Sequence, residues 1–205
     1  MRYSLVNRVR GIFLGALLGE ILATQNVSDL GEIAVLSSKS LIKLGKLDAE
    51  DWLKCYKQAS LDVGNTDDAW GKIILATLPV AIFFHEDTVK LKYNLLQLLQ
   101  IWDANPVVRD AALVLGYAIA KSLTEKLDPV TLIPETMDFL GESKTLLLQN
   151  LLKVNTLLEQ GAGLAQAQTE FSKQDKLSNN IALAFYCFLS RSEERRVGKE
   201  CRIGC

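Results

Sequence analysis

The stretch Arg8–Ala23, RVRGIFLGALLGEILA, carries the strongest fold signal in the chain. It is apolar on nearly every helical face, which is typical of a helix buried inside a helical protein. Gly11, Gly15 and Gly19 recur every four residues and so share one helix face, where no side chain keeps a neighbouring backbone away. Since each glycine costs about 1 kcal/mol of helix propensity relative to alanine, we expect this face to form a close helix contact. We also expect this helix to be the most buried element.

The rest of the chain shows helical spacing of apolar residues, with no sustained period-two alternation. Asp48 and the Asn105-Pro106 pair have the residue types that begin helices, and Gly45 has the type that ends one. Pro79 predicts a break or kink in the apolar segment 69–84, because proline removes a helix hydrogen bond. The sequence therefore predicts an all-α fold, with helices over 30–44, 69–84, 106–123, 178–190 and several shorter stretches.

Charge and cysteine content narrow the function class. The 23 basic and 24 acidic residues give a net charge of −1, whereas nonspecific nucleic-acid binding needs a basic face. Cys55 and Cys187 lie in apolar helical patterns, which favours buried thiols in a reducing cytoplasm. The apolar run between Arg10 and Glu20 is shorter than the roughly 20 residues that a membrane span requires. We therefore expect a cytoplasmic protein with no signal peptide, no membrane partner and no nucleic-acid partner.

The end of the chain is predicted to have a different origin from the rest. Residues Arg191–Arg202, RSEERRVGKECR, match the in-frame translation of a common sequencing-library adapter. The alternative is a charged, disordered terminus. On the adapter interpretation, residues 191–205 form a non-native tail that packs on nothing. The domain then covers residues 1–190 and is incomplete, because the natural chain is expected to continue past about Ser190.

The glycine helix also resembles a known family. Its pattern R-x-R-G-x-x-L-G-A-x-x-G-[DE]-x-L is similar to the opening helix of the ADP-ribosylglycohydrolases, which are dinitrogenase reductase-activating glycohydrolase-like proteins. The resemblance implies a multi-helix orthogonal bundle, here with its last part missing. It also implies two magnesium ions and hydrolysis of the glycosidic bond of ADP-ribose on modified proteins. ADP-ribose or an ADP-ribosylated protein would be the partner.

The family's first metal motif, Thr-Asp-Asp-Thr, falls on Ser28-Asp29-Leu30-Gly31 in this alignment. Ser28 and Asp29 would be the metal ligands that remain. Leu30 has no side-chain oxygen, although magnesium requires near-octahedral oxygen coordination. The second metal motif of the family would follow Ser190 and is not in this sequence.

A literal Thr66-Asp67-Asp68 provides an alternative metal motif. The same residue types also form a helix cap and its first turn. Gly64 and Asn65, just before it, resemble the remnant of a family Gly-Asn-Gly loop near the bound nucleotide. They are therefore candidate ligand-binding residues.

Two further residues bear on catalysis. Glu20 stands in the place of a family aspartate, either as a satisfied polar group or as a ligand. His85 is the only histidine, so no histidine-based metal cluster is expected, and it is predicted to lie at the surface or in a turn.

The functional prediction follows from Leu30 in the first metal motif and from the second metal motif, which is not in this sequence. The protein is expected to be an ADP-ribosylglycohydrolase-like hydrolase with impaired activity, using magnesium if it is active. The alternative is a non-catalytic helical domain that binds a nucleotide or a protein partner.

Overall fold

The computed structural model describes residues 4–24, 30–58, 69–171 and 175–200. Every regular element within these ranges is an α-helix, which confirms the all-α prediction. The helices are α1 (Leu5–Thr24), α2 (Leu30–Leu44), α3 (Ala49–Gln58), α4 (Ala69–Phe83), α5 (Thr88–Ile101), α6 (Pro106–Leu123), α7 (Leu132–Leu140), α8 (Leu147–Glu159), α9 (Leu164–Glu170) and α10 (Lys176–Glu200).

Local side-chain chemistry sets several helix ends as the sequence predicts. The Asn105 side chain accepts a hydrogen bond from the Val108 amide at 2.9 Å, with Pro106 as the first helical residue. Asp48 Oδ1 accepts from the Asp51 amide at 3.1 Å and so caps α3. Helix α2 ends at Leu44, and Gly45 follows with a φ of 66° that favours glycine.

Other local features differ from the sequence predictions. Helix α4 runs through Pro79 from Ala69 to Phe83, so the predicted break is absent, and the alternative of a kink stays a prediction. Ala76, Val80 and Ala81 around the proline are fully buried, and this packing offsets the one missing amide donor. The chain also contains α9, which was not predicted, because its seven residues carry too weak an apolar pattern.

The chain divides into two compact units, residues 1–127 and 128–205. In the first unit, α4 packs against α2, α5 and α6, and α3 packs against α2. Its core is mostly aliphatic and includes Ile33, Leu41, Trp52, Val80, Leu91, Leu95, Leu98, Val108 and Val114.

The second unit is built around α8, which packs against α7 and α10, and α9 packs against α10. Its core includes Ile133, Leu147, Leu151, Val154, Phe185 and Leu189. The Tyr186 hydroxyl donates to the Ala162 carbonyl and so ties α10 to the turn after α8. Helix α10 continues as backbone to Glu200. The side chains from 191 onward lie outside the described residues, so the tail and the 1–190 domain boundary stay predictions.

The burial of α1 corrects the first prediction. Among its described side chains, Glu20 alone is buried, while Leu14 and Leu18 are each 57% exposed and Leu22 is 82% exposed. A Cβ atom added at Gly11, Gly15 or Gly19 would meet nothing within 4 Å. The glycine face is therefore open rather than closely packed. A helix that is apolar all round does not reveal which of its faces is covered.

Candidate functional site

Apart from Glu20, the residues predicted to bind metal or ligand lie outside the described ranges. They are Ser28, Asp29, Gly64, Asn65, Thr66, Asp67 and Asp68. Their proposed roles therefore remain predictions. Leu30, the residue that breaks the family's carboxylate pattern, is the first residue of α2.

A groove lies between α1, α2 and α4. It encloses about 370 Å³, within the range of about 300–1,000 Å³ that is usual for ligand sites. Helix α1 supplies the residues of one helix face between Phe13 and Glu20, and α2 supplies those of one face between Ala34 and Ile42. The complete lining is Phe13, Ala16, Leu17, Glu20, Ala34, Val35, Ser38, Lys39, Ile42, Leu75 and Leu78.

The groove lining is apolar except for Glu20, Ser38 and Lys39. Ser38 Oγ donates to the Ala34 carbonyl at 2.7 Å, so its hydroxyl is already satisfied within α2. Glu20 is buried and already interacts within the fold. This agrees with its interpretation as a satisfied polar group. Lys39 is exposed and makes no hydrogen bond or ion pair with any residue in the described ranges.

The open side of the groove is bordered by apolar residues of α2. Val35 is 50% exposed and Ile42 is 75% exposed, and both also line the groove. The apolar surface therefore extends from the groove onto its rim.

Arg8 holds α1 against the end of α6. Its Nη1 atom donates to the Leu123 carbonyl at 2.5 Å, and its Nη2 atom lies 3.0 Å from Glu125 Oε1. Leu123 is the last residue of α6, where backbone carbonyls have no helical partner. The guanidinium thus satisfies a helix end and fixes one end of the groove's α1 wall.

A polar network fixes the other wall by joining α2 to α3. Ser40 Oγ donates to Asp51 Oδ2 at 2.7 Å, and Lys43 Nζ donates to Asp51 Oδ1 at 3.2 Å. The hydrogen bond from Ser40, followed by that from Lys43, lowers the pKa of Asp51 below its ordinary 3.8. Ser37 and Tyr56 hydroxyls lie 2.8 Å apart, and burial raises the pKa of Tyr56 above 10.0.

Within residues 4–24, 30–58, 69–171 and 175–200, no three histidine, cysteine or acidic residues gather as metal ligands would. His85 lies in the turn after α4, where its Nδ1 atom is 2.7 Å from the Ile82 carbonyl. This agrees with the prediction of a turn residue.

Comparisons with family models, with curated proteins and with solved structures find no match for this chain. Among the helices that the structure describes, none is both long and apolar enough to cross a bilayer.

Sequence reasoning missed the groove, although a signal for it was present. Phe13, Ala16, Leu17 and Glu20 recur at helical spacing, as do Ala34, Val35, Ser38, Lys39 and Ile42. Each set defines one helix face. The sequence does not show that these two faces border a common space.

Proposed function

We propose that this chain is a helical interaction domain that binds an amphipathic helix of a protein partner in the groove between α1 and α2. The observation that carries the proposal is the groove itself, which has two helical walls and a floor of Leu75 and Leu78. Grooves of this kind accept amphipathic helices through apolar residues spaced three and four apart.

The dimensions of the groove support a helical partner. The α1 lining from residue 13 to residue 20 covers about two helical turns, or roughly 10 Å at 1.5 Å per residue. A partner helix of similar length would place two or three apolar side chains in the groove. It would also cover Val35 and Ile42 on the rim, which a slender ligand inside the groove would leave in water.

Nucleotide binding in this groove is a weaker proposal. Phosphate groups are usually held by several cations or backbone amides. Lys39 is the one cationic residue of the lining that the structure describes, and the surrounding side chains are mostly aliphatic.

The test uses a fluorescently labelled amphipathic helical peptide with leucines at helical spacing and glutamines on its polar face. Anisotropy titration of the wild-type chain is expected to show saturable binding. Ser38→Trp fills the groove and is expected to abolish it. Val89→Trp is the matched control, because Val89 is 78% exposed on α5 and does not line the groove. Equal peptide binding by wild type and Ser38→Trp would overturn the proposal.

As a second proposal, the chain is an ADP-ribosylglycohydrolase-like protein whose hydrolysis of ADP-ribose linkages is impaired, and the pattern of Arg8–Ala23 supports this resemblance. Metal-bound water and carboxylates would perform that chemistry. Since Leu30 lacks a ligand oxygen, we expect no magnesium-dependent release of ADP-ribose by this chain. A release assay on an ADP-ribosylated protein, run beside magnesium calorimetry, tests this. Tight magnesium binding lost in Asp29→Ala would support the hydrolase. Loss in Asp67→Ala instead would move the metal site to Thr66-Asp67-Asp68.

A further inference from the structure

We infer that the partner helix is acidic and that Lys39 selects it by pairing with a carboxylate beside its apolar stripe. This inference rests on the proposed function, because it names the chemistry of the partner that the groove binds. It follows from the charges on the groove and its rim.

The groove contains two charged residues in unlike states. Glu20 is buried and already interacts within the fold. Lys39 is exposed on the opposite wall, and no residue in the described ranges pairs with it. A bound helix would lie beside the Lys39 ammonium group, and an opposite charge on that helix would form an exposed ion pair with it. The occupant that compensates it carries a carboxylate.

A second cation, Arg10, lies beside the groove on α1. Arg10 is three residues before Phe13 and seven before Leu17, so it lies next to the groove-lining face of α1. It is exposed, and it has no hydrogen bond or ion pair with another residue that the structure describes. Other lysines of the same region are already engaged: Lys43 pairs with Asp51 and Lys46 with Asp48.

Lys39 and Arg10 therefore lie beside an apolar groove, one on each helical wall, and the exposed carboxylate of Glu32 lies two turns before Lys39 on α2. An amphipathic helix with acidic residues beside its apolar stripe matches both features at once. Complementary charge of this kind contributes more to the choice of partner than to the total affinity.

The test compares three labelled peptides that share one leucine stripe and differ on the flanking positions, which are glutamate, glutamine or lysine. Wild type is expected to bind the glutamate peptide about two- to fivefold more tightly than the glutamine peptide, as an exposed ion pair provides. The lysine peptide is expected to bind most weakly. Raising the salt concentration is expected to reduce the difference, since exposed charges are screened.

Lys39→Glu is expected to reverse the order of the glutamate and lysine peptides. Lys57→Glu is the matched control, because it makes the same charge change on an exposed position of α3 outside the groove. It is expected to keep the wild-type order. Thermal melts of both variants check that the fold is retained.

The outcomes separate this inference from the proposed function. If the glutamate and glutamine peptides bind wild type equally and Ser38→Trp still blocks both, the acidic preference is wrong but the groove remains a helix site. If no peptide binds wild type, both proposals fail. Stoichiometric binding of decanoate that depends on Lys39, without peptide binding, would identify a single-chain anionic amphiphile as the occupant and overturn both.

Discussion

Gly15 and Gly116 are both helical glycines, yet an added methyl group would meet opposite surroundings. At Gly15 a Cβ atom would have nothing within 4 Å, whereas at Gly116 it would lie 2.7 Å from Leu95 Cδ1. Gly15→Ala is therefore expected to raise the free energy of unfolding by about 0.5–1 kcal/mol, because alanine loses less backbone entropy in a helix. Urea denaturation measures this change.

Gly116→Ala is the control for this prediction. Leu95 is fully buried, so its displacement is expected to cost about 1–3 kcal/mol through overpacking. The higher helix propensity of alanine would offset at most about 1 kcal/mol of this cost. Gly116→Ala should thus be less stable than wild type. A loss of stability in Gly15→Ala would show that the glycine face of α1 is covered after all.

Individual residues also show which structural roles can be predicted from the local sequence. Asn105, Asp48 and Gly45 act through neighbours within a few positions, so their roles at helix ends could be predicted. The open face at Gly15 could not. Whether a glycine contacts another helix depends on residues far away in sequence. A four-residue glycine spacing looks the same whether the glycine face is covered or open.

At the scale of elements, the link between α2 and α3 should respond to acid. The hydrogen bonds from Ser40 and Lys43 lower the pKa of Asp51 in the fold below 3.8. A carboxyl group whose pKa is lower in the folded than in the unfolded chain stabilises the fold at pH values above its unfolded pKa. This contribution disappears as the pH falls through the folded pKa. Wild type is therefore expected to exceed Asp51→Asn in stability at neutral pH. The two should converge well below pH 3.8.

Urea denaturation of both proteins across this pH range measures the difference. Glu50→Gln is the matched control, because Glu50 is exposed on α3 and its side chain is outside the Ser40–Asp51–Lys43 network. A constant gap between wild type and Asp51→Asn at every pH would mean that the carboxylate charge contributes nothing to this link.

The attachment of α1 depends on Arg8. Its guanidinium contacts both the Leu123 carbonyl and Glu125, and a lysine ammonium lacks the fork that reaches two partners. Arg8→Lys is expected to cost about 1–3 kcal/mol, as loss of hydrogen bonds to a charged group does. Native-state hydrogen exchange should show faster exchange in α1 and little change in α4. Equal exchange in α1 of wild type and variant would mean that α1 is held by its apolar contacts alone.

The type of most elements could be predicted from the sequence, whereas the short helix α9 and the relation between elements could not. The limits of α6 follow from Asn105, Pro106 and the apolar spacing between them and Leu123. The continuity of α4 through Pro79 depends on burial of its neighbours by α2 and α6, which no local pattern contains. The groove was missed for the same reason, because it is formed by side chains from three separate helices.

At the scale of the whole molecule, the tail can be tested by deletion. If residues 191–205 derive from an adapter, their sequence was never selected to fill a core. Removing them is expected to change the free energy of unfolding by less than about 0.5 kcal/mol, as for substitutions at featureless surfaces. Truncation after Glu159, within the second unit, is the contrasting variant and should disrupt that unit because it removes α10. A large loss of stability on deleting the tail alone would show that it packs on the fold.

The exposed leucines of α1 also affect how a cell would treat this chain. Leu14, Leu18 and Leu22 form a row on a well-formed helix, facing away from the groove. Chaperones and quality-control proteases recognise exposed apolar segments as a mark of unfinished folding. The correctly folded protein would still expose these leucines. Its lifetime would then be governed by how long the leucine row stays uncovered, as well as by its free energy of unfolding.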